Sequence, residues 1–271
     1  MTEAEVIARS SRGPVTADML VDDLAHLGLP PGTAVLVHSS LSSLGWVCGG
    51  PETVVDALLA ALGPGGTLVV PAHTGANSDP ASWEAPPVPE SWWPVIRSAS
   101  PAFDPRRSPT REMGAIPDAV LRHPDVCRSA HPQVSFAAVG HHAEEITSGH
   151  RIDESFGITS PLGRLYDLEG SVLLLGVGHN NNTSLHLAEY LAAWPSKTTK
   201  EDGAAVADDD GRRWSTFTDL TVDETDFPVI GAAFEATGAA RRARVGHATA
   251  ALMAQRPLVD FAIAWMNENR R

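Results

Sequence analysis

Cysteine is scarce in this sequence: Cys48 and Cys127 are the only two among 271 residues. Two thiols are too few for a disulfide scaffold, and such usage fits a reducing cytosol. Long apolar runs are missing as well. Stretches such as Val172-Leu173-Leu174-Leu175 fall far short of the roughly 20 residues needed to cross a bilayer. The opening MTEAEVIARSSRG is polar and acidic and lacks the apolar core of a secretory signal, so a soluble, cytoplasmic protein is expected. Positive charge is in deficit too. Lys plus Arg total 20 against 33 Asp plus Glu, a formal net charge of −13. A field of that sign repels phosphate backbones and anionic membranes and attracts polycations, so neither nucleic acid nor membrane is expected as a partner. An anionic ligand would need a local exception.

What is present reads as an α/β protein. Residues 34–39, AVLVHS, have a buried-strand pattern, and the helix-like PETVVDALLAALG (51–63) follows a Gly-rich turn. TLVVPA (67–72) reads as another strand. SVLLLGVG (171–178) is a strand running through a polar turn into the helix-like TSLHLAEYLAAW (183–194). Such alternation predicts a mixed, partly parallel central sheet flanked by helices, with ligands gathered at the carboxyl ends of strands. Between the strands, residues 74–112 are rich in Pro, Trp and Ser and predict a loop or lid insertion. DDDGRRWSTF (208–217) reads as a hairpin tip turning at Asp210-Gly211, and VGHATAALMAQRPLVDFAIAWMNENRR suggests one or two helices. No internal repeat is visible, so residues 1–271 are expected to form a single domain.

Several residues suit transfer of an acyl group to an amine, which needs a base and donors for the developing oxyanion. His186 lies one turn into the 183–194 helix, and Glu189 at i+3 shares its face. A histidine held by a carboxylate suits a general base near neutral pH; a half-buried ring bonded to a carbonyl is the plainer alternative. Thr183 can donate a hydroxyl to the reacting carbonyl or simply cap the helix. His179 and Asn180-Asn181-Asn182 follow a strand and so face a ligand crevice, although such a run also suits a turn. The spacing of His179, His186 and Glu189 is not that of a zinc site, and no metal is expected. Neither cysteine has the context of a nucleophile.

Five blocks together resemble the aminoglycoside 3-N-acetyltransferase family: LVHSSLSSLG with GGPETVVDALLAALGPGGTLVVPAHT, SPTREMGAIPDAVLRHPDVCRSAHPQVSFAAVG, SPLGRLYDLEGSVLLLGVGHNNNTSLHLAE and DFPVIGAAFEATG. The resemblance implies acetyl-CoA as donor, a cationic aminoglycoside as acceptor, antibiotic resistance as the outcome, and a fold unlike the GCN5-type acetyltransferases. The nearest approach to the GCN5-type pyrophosphate loop, Arg111-Glu112-Met113-Gly114-Ala115-Ile116, ends in Ile, in agreement. It also places an active-site histidine at His186 in SLHLAE. It carries the CoA site onto His38, Ser39, Ser40 and Leu41, with Ser108, Thr110, Arg111, Met113 and Gly114 as a second segment. Arg106-Arg107 beside that segment offers a basic patch. In the acidic stretch 223–226, Asp226 and Glu224 are candidates to orient His186, and Asp223 and Glu224 to bind a substrate ammonium. Asp153 and Glu154 are further candidates for gripping amines, and Trp83, Trp92 and Trp93 for covering a sugar ring.

Overall fold

The computed structural model describes residues 2–11, 13–209 and 211–271. Its strands are β1 (Ala34–Ser39), β2 (Thr67–Pro71), β3 (Cys127–Arg128), β4 (Phe136–Gly140), β5 (Ser171–Leu175), β6 (Thr199–Asp208), β7 (Gly211–Leu220), β8 (Ala240–Val245) and β9 (Ala248–Ala254). Seven of them form one sheet in the order β3-β4-β2-β1-β5-β9-β8. Its centre is parallel, β2 and β5 flanking β1, and the outer pairings are antiparallel. β6 and β7 pair separately as a hairpin whose tip adjoins Asp210, which lies outside the described residues.

The helices are α1 (Glu3–Arg9), α2 (Ala17–Leu27), α3 (Pro51–Leu62), α4 (Trp93–Ala99), α5 (Ala115–Leu121), α6 (Ala143–Thr147), α7 (Pro161–Asp167), α8 (Ser184–Leu191), α9 (Phe227–Ala236) and α10 (Gln255–Asn269). The central strands are apolar at nearly every position because both faces are covered. Val35, Val37, Leu68, Leu173 and Leu175 pack toward α2, α3 and α5. Leu36, Val69, Val172 and Leu174 alternate with them and pack toward α6 through α10. Among the described residues no helix is long and apolar enough to cross a membrane.

One expectation gains detail and another needs correction. First, the 74–112 segment contains α4 and short 3-10 turns at Pro80–Ser82 and Glu90–Trp92. It is tied to the hairpin by Asn77, whose side chain bonds both backbone groups of Ala205 at 2.8 Å, and by Phe103 N–H. Second, ATAALMA is a strand, β9, although Ala, Leu and Met favour helix. Its place between β5 and β8 decides the matter, since burial and ladder bonds outweigh propensity there. Only residues from Gln255 onward are helical.

Candidate active site

Because β1, β2 and β5 are parallel, their carboxyl ends open on one edge of the sheet. His38 and Ser39 end β1, Pro71 and His73 lie at and just past the end of β2, and Val177 and Asn180 to Thr183 follow β5. These residues, with Phe156, His186 and the 222–224 turn, line a cavity of ≈ 530 Å³.

Within it His186 Nδ1 lies 2.6 Å from Glu189 Oε2, as the i,i+3 spacing on α8 allows. The His186 side chain is 8% exposed and that of Glu189 0%. A buried carboxylate must have all its bonds satisfied. The other oxygen, Oε1, accepts from Arg270 Nη1 at 2.6 Å and from Asp223 N–H at 2.8 Å. Arg270 in turn grips both oxygens of Asp226, at 2.6 and 2.8 Å. Burial alone would lower the Arg270 pKa, but the bonds to Asp226 and Glu189 prevail and leave it raised. Phe156 stacks on the His186 ring at 4.6 Å and Phe227 meets it edge-on at 4.8 Å. With Nδ1 engaged by a carboxylate, Nε2 is the ring's remaining proton acceptor.

Thr183 immediately precedes α8 in helical conformation, and its side chain makes no cap bond. Its hydroxyl lies 3.3 Å from His38 Nε2. Burial, with a smaller push from His186, holds the His38 pKa down to about 3, so this ring is neutral at physiological pH.

A second cavity of ≈ 700 Å³ adjoins the first, sharing Ser39, Glu112 and Met113 with it. Ser40, Leu41, Trp46 and the amino ends of α3 and α5 complete its wall, with Glu3 and Val6 of α1 at its edge. The Ser39 hydroxyl, on the shared wall, is buried without a hydrogen-bond partner among the described residues.

Residues 36–267 match the family described as aminoglycoside 3-N-acetyltransferase. The chain belongs to that family. It is 40% identical to the SPbeta prophage-derived aminoglycoside N(3')-acetyltransferase-like protein YokD of Bacillus subtilis (strain 168), over 97% of this chain and 96% of that protein. The crystal structure of YokD superposes with a TM-score of 0.95, covering 98% of each chain at 39% identity. The structure of AAC-IIIb as a binary complex with CoASH gives 0.86, at 33% identity over 94% of this chain and 97% of that one. A neutron/X-ray structure of sisomicin-bound AAC-VIa gives 0.85, at 28% identity over 96% of this chain and 100% of that one.

Of the residues singled out in this family member's sequence, the structure gathers some and disperses others. His38, Ser39, Thr183, His186, Asp223 and Glu224 line the first cavity, and Ser39, Ser40, Leu41, Met113 and Gly114 the second. Ser108 and Thr110 do not join them. They line a separate groove of ≈ 900 Å³ with Arg106, on the other side of α5, where Thr110 bonds Asp118 at 2.5 Å. The Arg111 side chain lies beside Glu112 instead, at 3.7 Å. The anticipated basic patch is therefore displaced from the second cavity, whose lining contains no Lys or Arg. His179 turns away from the crevice. Its Nε2 meets Glu235 at 3.0 Å, and its ring packs so closely on Gly231 of α9 that a Cβ there would lie 2.0 Å from it. It shares no ligand position with His186, because each ring bonds a different carboxylate.

Asp153 pairs with Arg151, and Glu154 holds Ile158 N–H and the Thr159 hydroxyl; neither lines the cavity. Their local partners absorb them. Asp226 and Glu224 do not orient His186, because Glu189 occupies that place and Arg270 claims Asp226. Trp83 donates to Ser78, Trp93 packs under Arg97, Trp92 is exposed, and none of the three lines either cavity. The sequence reading missed His73, Glu112, Phe156 and Arg270. His73 was accessible in principle, since it follows β2 as His38 ends β1 and strand ends collect ligands.

Proposed function

We propose that the protein acetylates the 3-amino group of aminoglycoside antibiotics with acetyl-CoA as donor, conferring resistance. One observation carries this reading: a carboxylate-held histidine, His186, lines a cavity that shares a wall, Ser39 included, with a second one. The first cavity takes the acceptor, and Asp223 and Glu224 at its rim supply charge for ammonium groups. The second takes the donor. The unpartnered Ser39 hydroxyl fits a ligand there, and the amino end of α3, which no N-cap side chain covers, suits phosphate in place of basic side chains. Acetyl-CoA supplies the thioester carbonyl. His186 Nε2 takes the proton from the neutral amine as its nitrogen bonds the carbonyl carbon, and Glu189 stabilises the imidazolium. Thr183 steadies the carbonyl oxygen with its hydroxyl, whose acceptor side His38 engages. His186 returns the proton to the departing sulfur as the C–S bond breaks, leaving amide and free CoA. The structures of a relative named AAC-VIa with sisomicin bound, and of AAC-IIIb in a binary complex with CoASH, support the choice of ligands. Release of free CoA with sisomicin, against a panel of simple amines, is the test. Release with the simple amines alone would replace the acceptor; no release with any amine would sink the reading.

A further inference from the structure

The first cavity holds two side chains that the proposed chemistry leaves without a task. His73 lines it, and His73 Nε2 is buried without a hydrogen-bond partner among the described residues. The ring is fixed by Phe136, edge-on at 5.4 Å, and by Phe156 at 5.7 Å. Burial holds its pKa down to about 3, with smaller contributions from His186 and His38, so it stays neutral beside a cationic ligand. A buried polar nitrogen with no partner is uncommon, and one facing a cavity invites a ligand to complete it. Glu112 lines the same cavity, with its side chain 83% exposed and only a 3.7 Å approach from Arg111. Its backbone is left-handed, φ 61°, a region few residues of its size adopt.

These two residues stand at the feet of one excursion of the chain. Arg111 N–H donates to the His73 carbonyl at 2.9 Å, closing residues 74–110 into a loop whose body packs on the β6-β7 hairpin. The excursion thus presents to the cavity one neutral imidazole and one carboxylate, held at a fixed spacing by the bond at its base.

We infer that His73 and Glu112 select the acceptor: the His73 imidazole bonds a hydroxyl or amine of the incoming amino sugar, and the Glu112 carboxylate pairs with one of its ammonium groups. This rests on the first cavity being the acceptor site. The excursion is then a specificity element, and its sequence sets which polyamines enter.

Calorimetric titration of sisomicin into the whole protein, beside steady-state assays, tests this. His73→Phe keeps the ring and its packing but removes the nitrogens; His73→Gln keeps a donor and an acceptor; Glu112→Gln removes only charge. His73→Phe should weaken sisomicin binding about tenfold, and His73→Gln by less. Glu112→Gln should weaken it about 2–5-fold, an effect that fades with added salt because the carboxylate is exposed. The His73 variants, whose ring does not line the second cavity, should keep their affinity for acetyl-CoA. Folded His73→Phe and Glu112→Gln variants that bind sisomicin as the wild type does would overturn the assignment, as would a loss of acetyl-CoA affinity in place of sisomicin affinity in His73→Phe. If the wild type binds sisomicin but transfers no acetyl group to it, the proposed reaction fails, and the calorimetric comparison still judges His73 and Glu112. If the wild type does not bind sisomicin, the acceptor site and this assignment fall together.

Discussion

At the scale of single residues, the arrangement around His186 separates holding from reacting. Glu189 is sealed and fully bonded, so it fixes the imidazole and balances charge, while His186 and Thr183 reach the cavity and Glu189 and Arg270 do not line it. His186→Ala should therefore fold and still bind CoA, because Phe156 and Phe227 fill most of the surrounding space. Its turnover should fall by about 10²–10⁴, the usual worth of general-base assistance. Raising the pH should restore part of the loss, since more of the acceptor amine is then already neutral. A folded variant that turns over within a few-fold of wild type would remove His186 from the mechanism. The i,i+3 pair was legible in the sequence because helix geometry fixes it locally. The partners of Glu189 were not: Arg270 is 81 positions away in the sequence, in a polar tail that carries no local pattern.

At the scale of elements, the sequence was most informative where one local rule governs. β1 occupies the predicted 34–39, and α3 and β2 begin at the predicted Pro51 and Thr67. Apolar runs bounded by glycine and proline specify these elements with little help from the rest of the chain. β9 was misread because its alanines report helix propensity, while its conformation is imposed by neighbours on both sides. His179 was misread because the direction of a side chain within a turn depends on α9, far along the chain. The same long-range logic makes the end of α10 an active-site support. Arg270 is only 10% exposed and joins Glu189, Asp226 and the Asp223 carbonyl. Arg270→Met should leave Glu189 buried without its cation and destabilise the fold by about 3 kcal/mol. That corresponds to a drop in melting temperature on the order of 5–10 °C. Adding Glu189→Gln should recover most of the stability, because the uncompensated charge is then gone, though not the activity. Additive losses in the double variant would show that the two residues are energetically independent.

At the scale of the whole molecule, an acidic protein encloses a set of neutral histidines. Burial first of all lowers the pKa of His38, His73 and His150 to about 3 and that of His131 to about 4, against an ordinary value of 6.5. His131 and His150 lie tilted to one another at 4.7 Å, and their nitrogens are taken by Ser129, Ser155 and the backbone; His131 Nδ1 accepts from Gln133 and Val134 N–H, so that nitrogen cannot take a proton without breaking these bonds. Between those values and 6.5 the unfolded chain binds more protons than the folded one. The stability these rings contribute is therefore complete above about pH 6.5 and is lost as pH falls below it, by up to about 1.4 kcal/mol per pH unit for each ring. Two other effects of acid can be told apart from this one. Protonating surface carboxylates reduces the self-repulsion of a chain carrying −13, which acts in the stabilising direction. Carboxylates whose pKa is lowered, such as Asp223 beside the Thr225 hydroxyl and N–H, lose their contribution only as pH falls below about 4. A decline in melting temperature that begins near pH 6.5 and steepens toward pH 5 thus reports the histidines. Calorimetric melts across that range should show it, with net proton uptake on unfolding at pH 5.5. His131→Asn or His150→Asn, though less stable at pH 7, should have a shallower slope. Equal melting temperatures at pH 7 and pH 5 would mean that these rings are not held neutral by the fold.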